Sequence, residues 1–194
     1  MKPKATTRNK YPLAHRQKLE GFCGVASVQS LLQHQFLIKP DQFSIAKSIG
    51  KYYRMVGHIP PYNNALNFVV RYGAAPSTLA FAIKKFAPKP VRVFASNQGD
   101  VYKLNALVQN NQIIPIIHTK VPEKNKLLGH YLTFWGMKQK KVRIFDPDSV
   151  VGGLKTLSIQ EFNKFWNDDG QRWFLVALPS DIKLSREQFP GRYL

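Results

Sequence analysis

One cysteine occurs in the 194 residues, within the stretch RQKLEGFCGVASVQSLLQ (16–33). Helical spacing puts Val25, Val28 and Leu32 on one face, widened by Ala26 and Leu31, so a helix should begin at Cys23 or Gly24. The free N–H groups and dipole of a helix N-terminus stabilise a thiolate, the nucleophilic form of cysteine. Cys23 is therefore a candidate nucleophile; a small apolar residue filling the core is the competing reading. A nucleophile of this kind needs a base, and the candidates are His15, His34, His58, His118 and His130.

Hairpin geometry favours His130. GHYLTFWGM (129–137) and KVRIFDP (141–147) read as antiparallel strands joined by a tight turn around Lys138 to Lys141. With Phe134 opposite Val142, the register sets Leu132 opposite Ile144 and His130 opposite Asp146. Directly opposed residues have Cβ atoms roughly 4.5–5.5 Å apart, close enough for a carboxylate to hold an imidazole. Asp is depleted in strands, so Asp146 before Pro147 is unusual there without such a task. His58 and His118 read as structural or substrate-lining, and His15 and His34 have no carboxylate partner at a useful spacing.

The elements that must position these residues divide the chain in two. Residues 1–15 read as an extended basic arm, 16–180 as one two-lobed domain and 181–194 as a tail. Beyond the Cys23 helix, helical segments are expected over 41–51 with Asp41 as cap, over 62–71, and over 76–86 with Ser77 as cap. After Pro90 the segments become short and rich in β-branched and aromatic residues: VRVFAS (91–96), IIPIIHT (113–119) and RWFLVALP (172–179) join the hairpin as strands. VYKLNALVQN (101–110) and SIQEFNKFW (158–166) read as helices between strands, the second with Ser158 and Glu161 at capping-box spacing. The expected class is α+β.

Composition bounds the rest. With 44% hydrophobic residues the chain is globular, and one cysteine excludes an intramolecular disulfide or a multi-cysteine metal site. No apolar run approaches the ~18 residues that span a bilayer, and none follows the basic start as the core of a secretory signal. A cytoplasmic protein, one exported by a signal-independent route, or an excised domain is expected. The net charge is +18, and residues 1–145 carry 23 Lys and Arg against 4 Asp and Glu. Nucleic acid, anionic cell wall or an acidic membrane surface suits such a field, and a solubilising lysine coat is the plainer alternative.

The segment QKLEGFCGVAS (17–27) resembles the Gln-(five residues)-Cys-Gly-x-Ala motif of the papain-like bacteriocin-processing peptidases, which remove double-glycine leaders and are often fused to ABC transporters. GHYLTFWGMKQKKVRIFDPD (129–148) is similar to that family's Gly-His strand and following Asp-Pro strand, and NQIIPIIHT (111–119) resembles its buried strand. The resemblance spans roughly residues 15–150. It implies a papain-like fold, a helical lobe with an N-terminal nucleophile helix packed on an antiparallel sheet. It makes Cys23 the nucleophile, His130 the general base, Asp146 the orienter, and Gln17 an oxyanion donor beside the Cys23 N–H. One such donor is worth about 3 kcal/mol of barrier.

No cofactor is expected, and the substrate would be a protein loop, a Gly-Gly leader or a peptidoglycan stem peptide. The chain departs from the family pattern at Phe22, where Asp is frequent, and with no transporter segments following, export-coupled cleavage is not expected. Standalone relatives act as wall amidases and as toxin or effector domains, roles that bring in an inhibitor or immunity protein as a partner. Two rivals remain. One is a nucleic-acid binder or RNase using the basic surface, the Lys138–Arg143 cluster and Tyr52, Tyr53, Tyr62 or Trp135 as stacking platforms. The other is an interaction module with an inert Cys23.

Overall fold

The computed structural model describes residues 14–57, 64–88, 90–123, 126–167, 170–185 and 189–194. The basic arm up to residue 13, His58 and Tyr62 lie outside them. Four helices come first: α1 (Cys23–Phe36), α2 (Gln42–Met55), α3 (Ala65–Tyr72) and α4 (Pro76–Phe86). Strand β1 (Val91–Ser96) and helix α5 (Val101–Asn111) lead into β2 (Ile116–Glu123), β3 (Lys126–Lys138), β4 (Lys141–Asp146) and β5 (Gly153–Ser158). Helix α6 (Ile159–Phe165) and strands β6 (Phe174–Pro179) and β7 (Arg192–Tyr193) complete the chain. The seven strands form one antiparallel sheet in the order β5-β4-β3-β2-β6-β1-β7.

Alternation along the strands builds a core on each face of this sheet. Tyr131, Leu175 and Ala177 pack with α1, α2 and α4, whereas Leu132, Phe134, Phe174 and Val176 pack with α5 and α6 around Phe162 and Trp166. Helix α1 is central. Every residue from Cys23 to Leu32 is buried, including Ser27, Gln29 and Ser30, so the single apolar face read from its spacing understates how enclosed it is.

The caps mostly follow the sequence. Asp41 and Asp100 accept hydrogen bonds from the first N–H groups of α2 and α5, and Ser158 with Glu161 closes a capping box on α6. Ser77 is not the cap of α4. Ala75 holds that position without a side-chain bond, because Pro76 is the first helical residue, its fixed φ suits the helix and it has no N–H to satisfy. Strand β2 starts at Ile116, not Ile113, since Pro115 cannot donate to the ladder. Strands β5 and β7 were not expected from the sequence.

The β3–β4 hairpin differs from its expected register. Gln139 and Lys140 form the two-residue turn, both with positive φ, and Lys138 pairs with Lys141. Phe134, however, faces Ile144, and Met137 faces Val142. Trp135 and Gly136 together oppose Arg143 in a β-bulge, which Gly136 permits at φ 80°. His130 and Asp146 are consequently not directly opposed: continuing the ladder from Phe134 and Ile144 brings Leu132 opposite Asp146.

The last residues lie against the domain. β7 pairs with β1, Phe189 is buried, and the Leu194 N–H donates to the Val93 carbonyl at 2.8 Å. Among the described residues no helix is long and apolar enough to cross a membrane.

Candidate active site

Cys23 is the first residue of α1 and retains 9% of its surface. Its helix has no acidic residue in the first turn to compete for the N-terminal field. The His130 side chain is hydrogen-bonded to Cys23, and its Nε2 meets Asp146 Oδ1 at 2.7 Å. With Nε2 held by the carboxylate, Nδ1 is the nitrogen left to serve Cys23. The diagonal relation left by the bulge still lets the two side chains meet, as diagonal neighbours on a sheet face do.

Asp146 is 6% exposed and fully engaged. Oδ1 also accepts the Asp148 N–H at 3.0 Å, and Oδ2 accepts from Lys155 Nζ at 2.7 Å. Burial alone would raise its pKa, but the bonds from His130, Lys155 and the Asp148 backbone outweigh that and hold the carboxyl well below its ordinary range. Burial would likewise lower the pKa of His130. Hydrogen bonds and charge from Asp146 and Cys23 reverse this and push it up to about 9. The pocket thus favours the imidazolium form of His130.

Gln17 lies half-buried in the segment before α1. Its N–H donates to the Pro147 carbonyl at 2.7 Å, which docks this segment on the residue after Asp146. Arg16 strengthens the junction by donating to the carbonyls of Ser149 at 2.9 Å and Gly152 at 3.3 Å.

A cleft of about 410 Å³ is walled by Ala74, Ala75, Ala95, His118, Trp173 and Tyr131. Tyr131 lies close enough to Cys23 for the two to interact electrostatically, and burial first, then the charge at Cys23, raises the phenol pKa. The His118 ring packs on Tyr131 with centroids 4.8 Å apart. It also occupies the space over Gly129, where a Cβ would come within 2.6 Å of Nε2, so any larger residue before His130 would have to displace the His118 ring.

His34 and His15 have other partners. His34 stacks edge-on to Trp135, and His15 is hydrogen-bonded to Gln33 and has its pKa lowered mainly by burial. Two of the aromatic residues considered as stacking platforms are committed elsewhere. Trp135 is 5% exposed with its indole N–H on Thr133, and the Tyr53 hydroxyl accepts the Ala75 N–H. Among the described residues no three His, Cys, Asp or Glu side chains gather as a metal site. Lys155 was missed because its strand alternates half-exposed and exposed positions, without the apolar rhythm that marks a strand in sequence.

A buried cysteine at a helix N-terminus, bonded to a histidine on an antiparallel sheet, is the architecture of the papain-like cysteine peptidases. The comparisons agree: the family model described as Peptidase_C39 like family matches residues 8–173. The chain belongs to that family, and it is a cysteine peptidase. Among solved structures it is similar to the peptidase domain of Streptococcus ComA, a bi-functional ABC transporter involved in a quorum-sensing pathway. That likeness has a TM-score of 0.61 at 18% identity and covers 88% of this chain and 100% of the other. A C39-like peptidase from Bacillus anthracis matches with TM-score 0.57 at 16% identity, over 87% of this chain and 94% of its own. A double glycine motif protease from an AMS/PCAT transporter, solved with its leader peptide, matches with TM-score 0.54 at 16% identity, over 86% and 91%. Comparison with curated proteins gives no match.

Proposed function

We propose that the protein hydrolyses a peptide bond with Cys23 as nucleophile, His130 as acid and base, Asp146 as its orienter and Gln17 as an oxyanion donor. The observation that carries this reading is the position of His130, bonded to Cys23 and held by Asp146 at 2.7 Å. The thiolate adds to the carbonyl carbon, a C–S bond forms, and the carbonyl electron pair moves to oxygen. Gln17 and the Cys23 N–H stabilise that charge. The His130 imidazolium then gives its proton to the leaving amine as the C–N bond breaks. Water, losing a proton to the imidazole, attacks the acyl-enzyme; the C–S bond breaks and the thiolate returns.

A double glycine motif protease is among the proteins to which this chain is similar, and a peptide with small residues at the scissile bond is the substrate class this suggests. N-acetyl-Gly-Gly-aminomethylcoumarin is the first substrate to assay. Turnover should vanish in Cys23→Ala, and iodoacetamide alkylation of Cys23 near neutral pH should slow in His130→Ala. Alkylation unaffected by loss of His130, or turnover surviving loss of Cys23, would overturn the assignment. The net charge of +18 concentrates anionic substrates, so purified cell wall is the second substrate. Release of stem peptides would support an effector or toxin role.

A further inference from the structure

Gln17 is useful as an oxyanion donor only if its amide is aimed before substrate arrives. It sits in irregular chain, where no helix or strand fixes its backbone. Its neighbours on both sides nevertheless bond to one side chain. Gln42 Nε2 donates to the Arg16 carbonyl at 2.7 Å, and Gln42 Oε1 accepts the Lys18 N–H at 2.8 Å. The two bonds close a ring around residue 17, as a strand neighbour would, and the bond from the Gln17 N–H to the Pro147 carbonyl holds it from the other side.

Gln42 is itself fixed. It is 1% exposed at the first position of α2, and its second amide hydrogen goes to Gln29 Oε1 at 3.0 Å. Gln29, buried in α1, donates in turn to the Pro40 carbonyl at 2.7 Å. Both hydrogens and the oxygen of the Gln42 amide are used, so its orientation is determined. The relay starts on the helix that carries Cys23 and ends on both flanks of Gln17.

We infer that Gln42 is a positioning residue for catalysis, a buried amide clamp that aims Gln17 at the carbonyl attacked by Cys23. This rests on the role proposed for Gln17. Alkylation by iodoacetamide needs the thiolate but no oxyanion donor, whereas addition of the thiolate to an aldehyde creates an oxyanion. The two reagents therefore separate aiming from folding.

In Gln42→Leu, kcat for the Gly-Gly coumarin substrate and affinity for N-acetyl-Gly-glycinal should fall together, by on the order of tenfold to a hundredfold. KM and the pH profile of alkylation should hold. Gln42→Glu keeps an acceptor for Lys18 but repels the Arg16 carbonyl, and should behave similarly if the leucine variant does not fold. Adding Gln42→Leu to Gln17→Ala should cause no further loss, because the clamp then has nothing to aim. Unchanged kcat, independent losses in the double variant, or alkylation lost in both Gln42 variants would overturn the inference. Gln17→Ala with full kcat would instead refute the role of Gln17 itself.

Discussion

Replacing Asp146 with Asn removes the charge beside His130 while leaving an oxygen that can still accept from Nε2–H. In the native site burial pulls the histidine pKa down, and the bonds and charge of Asp146 and Cys23 carry it from 6.5 to about 9. That net rise is about 3 kcal/mol in favour of the imidazolium. A hydrogen bond to a charged group is worth ~1.5–3 kcal/mol, so neutralising one of the two partners should lower the titration by roughly one to two pH units. The assay is kcat/KM of the Gly-Gly coumarin substrate against pH. Wild-type activity should fall as pH rises through about 9, where His130 loses the proton that the proposed cycle passes to the leaving amine. In Asp146→Asn the fall should come at about pH 7–8. Stability should follow the same groups. The raised pKa of His130 stabilises the fold fully below about 6.5, and that part is lost as pH climbs through about 9. Asp146, with a lowered pKa, stabilises above its ordinary 3.8 and loses that part as pH falls through its depressed value. An alkaline limb that stays near 9 in the variant would refute the electrostatic coupling on which the site depends.

Lys155 shares the carboxylate with His130, so Lys155→Met should move the alkaline limb upward. Because Lys155 is 39% exposed, solvent screening limits the effect to ~1 kcal/mol or less, and Lys155→Arg should restore the wild-type profile. A limb that moves downward would show that Lys155 acts by holding Asp146 in place and not through its charge. Gly129→Ala should destabilise by about 1–3 kcal/mol, since the new methyl meets the His118 ring and that ring already packs on Tyr131. Thermal unfolding checks it, and an unchanged midpoint would mean that His118 has room to turn.

What was legible in the sequence came from local chemistry. The spacing of Val25, Val28 and Leu32 located α1, and the turn chemistry of Lys138–Lys141 located the β3–β4 hairpin. The register within that hairpin was not legible. The expected pairing of Phe134 with Val142 centred the turn on Lys138, whereas the turn is Gln139 and Lys140; that moves the register by three residues, and the bulge at Trp135 and Gly136, visible in sequence only as a glycine inside a strand, takes one back. The error spared the contact between His130 and Asp146 because a shift of two residues keeps every side chain on its own face; a shift of one would have moved Asp146 to the other side. Lys155, Gln29 and Gln42 could not have been found in the same way. They reach the site through long-range bonds between elements, and neither a half-exposed edge strand nor a buried glutamine has a pattern to mark it.

These long-range bonds also tie the site together. Asp146 ends β4, the next residue is Pro147, and the Pro147 carbonyl accepts the Gln17 N–H at 2.7 Å. A displacement at the end of β4 that moves Asp146 away from His130 therefore also pulls on the segment bearing Gln17. Arg16, fastened to Ser149 and Gly152, transmits the same displacement. From the opposite direction Gln29 and Gln42 link Gln17 to α1, and hence to Cys23. Cys23, His130 with its carboxylate and the proposed donor Gln17 stand on separate segments, yet each is linked to another through at most a few intermediates. Such a circuit lends irregular chain the rigidity that catalytic geometry needs, because no member can drift without breaking a hydrogen bond to another.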